Sequence, residues 1–349
     1  MKDFKISIYL GTFQRRYGIK KALEIAKWVV GVDYVDFTLD DFYSNRSDKH
    51  GSSPDYLYDQ SEEGLIAYFT ELRAYIDALG LAVAQTHGRS TIFFDDPTED
   101  AAVLNDARID LIATRILGAK HCVMHCPPST RTHMMSAEQV EKMHYEFFST
   151  LAPIAKENGV KIAIETGGNA GANYEIFGRF GHAEHFIAAY ERLVANPEFR
   201  DVFCYCVDTG HSNTAAKHAG EPTVPDLVRR LGSAVEVLHI NDNEGKTDMH
   251  AVPMVDAHPY TGAVDWRDFF RALDEIGYAG YYNLELGFNN YCRNFAIEEA
   301  IFAVKVLKNL LQTHYGLPHE GFIDDTPYLS ETFKERQRQK MLKLAQTQK

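Results

Sequence analysis

KIAIET at residues 161–166 is a short apolar run that ends in a carboxylate, Glu165. The same pattern recurs three times further along the chain, with a candidate metal ligand near the end of each run. These runs are CYCVDTGH at 204–211 with Asp208, EVLHIND at 236–242 with His239, and YYNLEL at 281–286 with Glu285. Each run is typical of a buried strand. If the strands lie parallel in one barrel, their C-terminal ends meet and the four side chains converge.

Strand-like and helix-like runs alternate almost to the end of the chain, which is typical of a parallel α/β fold. Residues 136–158 illustrate the helical pattern. Ser136 and Gln139 have the spacing of a capping box, apolar residues recur at helical steps, and Gly159 follows as a stop. We therefore predict a (β/α)8 TIM barrel. Its strands are expected near residues 4–10, 34–39, 82–87, 121–126, 161–166, 203–208, 235–240 and 280–286.

The length of 349 residues fits one such barrel of about 250 residues with insertions. We predict a TIM-barrel catalytic domain over 1–312 and a C-terminal helical extension over 313–349. Two long polar loops, at 40–60 and 241–263, follow the second and seventh strands. Loops on that face of a barrel usually build the active site.

The net charge of −13 argues against broad binding to nucleic acid or to an anionic membrane. No run approaches the roughly 20 apolar residues of a membrane span, and the N-terminus lacks the features of a signal peptide. Five cysteines show no disulfide framework. We therefore expect a cytoplasmic protein that uses no membrane and, as the simplest case, no nucleic acid.

The four strand-end residues offer three carboxylates and one imidazole. That donor set suits one divalent metal, Mn²⁺, Mg²⁺, Co²⁺ or Zn²⁺, and excludes none of these. A carboxylate at the end of an apolar strand is costly to bury unless it is paired. More candidate donors fall on the same face of the barrel, although a lone histidine at a strand end is often only structural. These candidates are His87, His125, His211, Asp248 and His250.

The ordered set IAIET, CVDTGH, LHINDN, TGAVDW and YNLEL resembles the xylose-isomerase-like sugar isomerase/epimerase superfamily. The resemblance spans roughly residues 4–312. It implies a TIM barrel that holds a metal through Glu165, Asp208, His239 and Glu285, with both glutamates as catalytic acid and base. His211 would contact substrate. Related epimerases often place an arginine six residues after the metal-binding histidine; that position is Gly245 here, and the adjacent Lys246 could replace the arginine.

This resemblance implies an isomerase or epimerase of a sugar, sugar phosphate or polyol. The metal would act as a Lewis acid while Glu165 and Glu285 transfer protons through an enediolate. Dehydration begins with the same deprotonation and stays open. The expected partner is a small-molecule sugar, and a homo-oligomer is plausible for barrels of this kind.

Two alternatives remain. The same superfamily includes endonuclease IV, a zinc-dependent enzyme acting on abasic DNA, whose ligand types resemble the nine candidates here and would hold up to three zinc ions. The acidic barrel weighs against DNA binding. The other alternative is a metal- and sugar-binding barrel without catalysis.

Overall fold

A computed structural model describes residues 4–40, 61–90, 92–127, 135–167, 183–219, 221–253, 263–287 and 294–318. These residues contain eight strands, at the positions that the alternation predicts. They are β1 (Ile6–Tyr9), β2 (Tyr34–Thr38), β3 (Ala82–His87), β4 (His121–Met124), β5 (Lys161–Glu165), β6 (Phe203–Asp208), β7 (Val235–His239) and β8 (Tyr282–Leu284).

The eight strands form one parallel sheet in the order β7-β6-β5-β4-β3-β2-β1-β8. A parallel bridge between Ile240 and Leu284 joins the two ends. There the Ile240 amide donates to the Asn283 carbonyl at 2.7 Å, and the Glu285 amide donates to the Ile240 carbonyl at 3.1 Å. The sheet is thus a nearly closed barrel with helices between its strands, and the predicted TIM barrel is confirmed.

Helices lie between the strands along the described chain. They are α1 (Gly11–Tyr17), α2 (Ile19–Glu24, continued by a π-helical turn at Ile25–Val30), α3 (Glu62–Ala78), α4 (Pro97–Leu117), α5 (Ala137–Asn158), α6 (Ala183–Val194), α7 (Thr209–Ala219), α8 (Val224–Leu231), α9 (Trp266–Glu275) and α10 (Ala296–His314).

Helix α5 begins and ends where its sequence signals predict. The Ser136 hydroxyl accepts from the Gln139 amide and the Gln139 side chain accepts from the Ser136 amide, which is the complete capping box. Gly159 ends the helix at φ 62°, a left-handed conformation that favours glycine. Asp265 caps α9 by accepting from the Asp268 amide at 3.0 Å.

Small side chains pack the lower interior of the barrel, below the strand ends that carry the candidate ligands. This buried cluster consists of Val123, Ala163, Cys204, Cys206 and Val237. The cysteines here are free and act as small apolar residues. The tight packing holds neighbouring strands in a fixed register, which positions the residues at their C-terminal ends.

The chain divides into two compact units, Met1–Leu311 and Gln312–Lys349, with all eight strands in the first. The catalytic-domain boundary at residue 312 and the helical extension over 313–349 stay predictions, and residues 319–349 lie outside the described part. Most of the long loop at 40–60 also lies outside it, as do residues 254–262 of the loop after β7. Among the described helices, none combines the length and apolarity that crossing a membrane requires. Cytoplasmic location and homo-oligomerisation stay predictions.

Candidate metal centre

The four strand-end residues meet at the C-terminal end of the barrel. Glu165 ends β5, Asp208 ends β6, His239 ends β7 and Glu285 follows β8 directly. One ligand atom from each lies within 4.8 Å of the others, and all four residues are buried. The Nδ1 atom of His239 lies 3.1 Å from Oε1 of Glu165 and 3.1 Å from Oε2 of Glu285.

Two donors hold Asp208, one in the first turn of α7 and one in the loop after β7. Its Oδ1 accepts from the His211 amide at 2.6 Å, and its Oδ2 accepts from Nδ2 of Asn241 at 2.7 Å. Gly210 makes room for Asn241, because a Cβ atom at Gly210 would lie 1.9 Å from the Asn241 Oδ1. The CVDTGH run therefore needs its glycine for the close approach between the start of α7 and the loop after β7.

Burial and the charges of neighbouring groups shift the pKa values at this centre. Burial raises the pKa of Asp208 to about 7, although the His211 charge opposes the change. Burial opposes ionisation of Glu285 too, but the charge and hydrogen bond of His239 together with the His250 charge outweigh it and lower the pKa of Glu285 to about 2. For Glu165, burial is likewise outweighed by His239 and His125, so its pKa lies well below the usual range. Burial alone would lower the pKa of His239, yet the surrounding anions hold it well above the ordinary value.

Several buried polar atoms here have no hydrogen-bond partner within the described part of the chain. They are both ring nitrogens of His239, Oε2 of Glu165 and Oε2 of Glu285. Buried polar groups are normally hydrogen-bonded, and unsatisfied ones occur where a protein takes up an ion or water or carries out catalysis. Three carboxylates and one imidazole facing a common point fit a divalent cation by donor type, number and spacing.

A first group of histidines flanks Glu165 on the β3–β4 side. The Nε2 of His87 lies 3.6 Å from Oε2 of Glu165, and the Nε2 of His125 lies 2.9 Å from the same oxygen. His87 is buried and stacks on His239 with ring centroids 5.6 Å apart. Burial opposes protonation of His87, but Glu165 and Glu285 raise its pKa to about 9. The side chain of His125 is 40% exposed and faces the barrel mouth.

A second group lies on the opposite flank. Asp248 Oδ1 lies 3.1 Å from Nε2 of His250 and 3.4 Å from Nε2 of His211. The Nδ1 of His250 lies 2.9 Å from the Glu285 carbonyl oxygen. His250 adopts φ 45°, which is unusual for a residue with a side chain. Of the candidate residues, nine are thus brought to one end of the barrel.

Lys246 is the exception. Its side chain is exposed on the loop after β7, and no hydrogen bond or ion pair joins it to a described residue. Two polar residues that the sequence patterns did not single out do reach the centre. Asn241 contacts Asp208, and Asp36 Oδ2 lies 3.3 Å from Nε2 of His239. Both are polar residues inside or directly after a buried strand, and that position could have identified them. Burying such a side chain is costly unless it is paired.

The sequence was compared with protein families and with individual known proteins. The sequence model of a family described as xylose isomerase-like TIM barrel matches residues 23–309. An inosose isomerase of Bacillus velezensis is 25% identical over 302 residues, covering 85% of this chain and 93% of that protein.

Two solved structures share the fold. A crystal structure of the IOLI protein with a bound zinc atom superposes with a TM-score of 0.62 at 20% identity, covering 90% of this chain and all (100%) of that one. The structure of an L-ribulose 3-epimerase gives a TM-score of 0.59 at 15% identity and covers 90% of this chain and 96% of that one.

Proposed function

This chain belongs to the xylose isomerase-like TIM-barrel family, and we propose that it is a divalent-metal-dependent isomerase or epimerase of a sugar or related polyhydroxylated ketone. The observation that carries the proposal is the convergence of four buried donor residues at the strand ends, with orphaned polar atoms facing one another. The similarity to an inosose isomerase supports a ketone flanked by hydroxyl groups as substrate.

Glu165, Asp208, His239 and Glu285 would hold the cation. A divalent ion bound there would supply Lewis-acid polarisation to a carbonyl and its neighbouring hydroxyl. The donor set suits Mn²⁺, Mg²⁺, Co²⁺ and Zn²⁺ alike.

Glu165 and Glu285 would perform the proton transfers. The pKa of each lies below its ordinary value because nearby histidine charge outweighs burial, so each is ionised and able to accept a proton at neutral pH. In the proposed reaction, one glutamate takes the proton from the carbon next to the carbonyl and leaves an enediolate. The second glutamate, which first takes up a proton from water, delivers it to the opposite face, which gives epimerisation, or to the neighbouring carbon, which gives isomerisation. The first glutamate then releases its proton to water, so both carboxylates return to the ionised state. General acid–base catalysis of this kind contributes roughly 10²–10⁴-fold.

The flanking residues would bind and orient the substrate. His125 combines an exposed face at the barrel mouth with a 2.9 Å contact to Glu165, so it can reach both solvent and the proposed base. His211 is fixed by the Thr166 carbonyl oxygen, 3.1 Å from its Nδ1, and is suited to orienting a hydroxyl group. Lys246 remains a proposed substrate contact from an exposed position on its loop.

Exchange of the substrate α-proton with solvent tests the mechanism. A polyhydroxylated ketone is incubated in D₂O with wild type, with Glu165→Gln or with Glu285→Gln, and deuterium incorporation is followed by NMR. Glu198→Gln, at an exposed position outside the centre, is the matched control. Metal content is measured for every variant, so that loss of the cation is separated from loss of the base. Undiminished exchange in both centre variants would remove the two-glutamate mechanism.

A multinuclear zinc hydrolase acting on abasic DNA is the second candidate function. It is favoured by two further donor groups, one of His87, Glu165 and His239 and the other of His211, Asp248 and His250. The net charge of −13 opposes it, because DNA binding requires a basic footprint. Metal analysis of protein purified without added metal decides between the two: about one ion per chain supports the isomerase, whereas three ions with cleavage of an abasic duplex support the hydrolase.

A further inference from the structure

A carboxylate lies directly beneath the candidate metal centre, inside the barrel. Asp36 is the third residue of β2, and neither it nor His239 is exposed to solvent (0% each). Its Oδ2 atom lies 3.3 Å from Nε2 of His239. The opposite nitrogen of the same ring, Nδ1, lies 3.1 Å from both Glu165 and Glu285. The imidazole is therefore placed between one carboxylate below and two carboxylates above.

Asp36 is itself held in place by its neighbouring strands. Its Oδ2 accepts from Nε2 of Gln85 at 2.9 Å and from Nδ2 of Asn283 at 2.8 Å. The Ser7 hydroxyl donates to the Asn283 Oδ1 at 2.8 Å, which turns the Asn283 amide nitrogen towards Asp36. Strands β1, β3 and β8 thus fix a carboxylate that belongs to β2.

This network leaves hydrogen-bonding capacity free on Asp36. Within the described residues, its Oδ1 has no hydrogen-bond partner, and neither ring nitrogen of His239 has one. Burying a carboxylate is costly unless its oxygens are satisfied. At 3.3 Å, the Asp36 Oδ2 atom is within reach of an Nε2–H group on His239, and Nδ1 is the nitrogen that faces the two glutamates.

We propose that Asp36 is a positioning residue that accepts the Nε2–H of His239 and thereby presents Nδ1 to the cation. The proposal rests on the metal site of the proposed function. A carboxylate behind a metal-binding imidazole fixes the ring orientation and makes the ligating nitrogen more basic, and loss of such a partner typically costs about 10–100-fold in metal affinity.

A purely structural role is the competing explanation, in which Asp36 only satisfies the amides of Gln85 and Asn283. The two roles differ in what they predict for the cation. A structural role affects folding stability and leaves the metal environment unchanged, whereas a positioning role changes metal affinity and the electronic spectrum of a bound transition metal.

The test uses metal-free full-length protein and the metal alone, without substrate. Zn²⁺ affinity is measured by competition with a chromophoric chelator, and Co²⁺-loaded protein is examined by visible absorption. Asp36→Asn is compared with Thr114→Val, which removes a buried hydrogen bond to Thr86 but no contact with Asp36 or His239. We expect Asp36→Asn to bind Zn²⁺ about 10–100-fold more weakly with an altered Co²⁺ spectrum, and Thr114→Val to bind Zn²⁺ as wild type does.

Gln85→Leu keeps the proposal testable if Asp36→Asn does not fold. It leaves Asp36 in place and removes one of its two anchors, so a smaller loss of affinity in the same direction is expected. Zn²⁺ affinity within twofold of wild type and an unchanged Co²⁺ spectrum in the folded Asp36 or Gln85 variant would overturn the positioning role. Wild type that binds no cation overturns both this role and the metal site, whereas cation binding without turnover of any ketone removes only the proposed reaction.

Discussion

Replacing Arg89 with methionine is expected to lower the free energy of unfolding by about 3–5 kcal/mol, the usual cost of breaking a buried ion pair. Arg89 lies two residues after His87, in the loop that leaves β3. Its Nε atom lies 2.7 Å from Oδ1 of Asp110, and its guanidinium also reaches Oδ1 of Asp106 at 3.0 Å. The side chains of all three residues are only 3% exposed.

The size of the effect follows from what the substitution leaves behind. Methionine retains most of the aliphatic volume of Arg89, so the cavity contribution is small. The two aspartates lose the cation that they share, and breaking a buried ion pair is far more costly than losing a surface ion pair of about 0–1 kcal/mol. The Asp106 carbonyl also loses one donor, the Arg89 Nη2 at 2.9 Å.

Urea unfolding of metal-free protein provides the measurement. The variants are Arg89→Met, Asp110→Asn and the double variant, with Arg108→Met, part of a partly exposed ion pair with Glu62, as the matched control. The double variant should be less destabilised than the sum of the single ones, because removing a buried charge relieves the loss of its partner. A loss below about 1 kcal/mol for Arg89→Met, equal to that of an exposed pair, would refute the reasoning.

Two further predictions concern the metal centre. Cation binding should release about one to two protons at pH 7, because the metal-free protein holds the pKa of His239 well above its usual value and burial raises the pKa of Asp208 to about 7. Metal affinity should accordingly rise with pH through neutrality. Calorimetry in buffers of different ionisation enthalpy measures the number of protons released, and a binding heat that does not depend on the buffer would contradict the prediction. Gly210→Ala should weaken Zn²⁺ binding by roughly tenfold or more, because the new Cβ atom would displace Asn241 from Asp208. Competition with a chelator measures the change in affinity. An unaltered affinity would show that Asn241 does not hold Asp208.

Local patterns in the sequence were sufficient to predict the fold. The apolar runs ending at Glu165 and His239 match strands β5 and β7, and the Ser136–Gln139 capping box begins α5 where expected. These elements can be predicted because they depend on residues close together in sequence. A cap residue bonds an amide three positions away, and a strand buried on both faces must be almost wholly apolar.

Only some of the residues of the metal centre could be predicted from the sequence. Carboxylates at the ends of apolar strands stand out, because burying them without partners is costly. Lys246 was chosen because related epimerases place an arginine next to that position; its side chain is exposed on the loop after β7, and its role in binding substrate stays a prediction. Asn241 and Asp36 were missed, because their roles depend on partners 33 and 203 positions away in sequence, at Asp208 and His239.

The sequence by itself determined the barrel, the end of the barrel at which chemistry is expected, and the residue types available there. These depend on periodicity and on the cost of burying charge, which are properties of each segment alone. Only the tertiary structure decided which nitrogen of His239 faces the glutamates and which faces Asp36, and which donors hold Asp208. Those contacts are set by the register between strands distant in sequence, and barrel closure at Ile240 and Leu284 fixes that register.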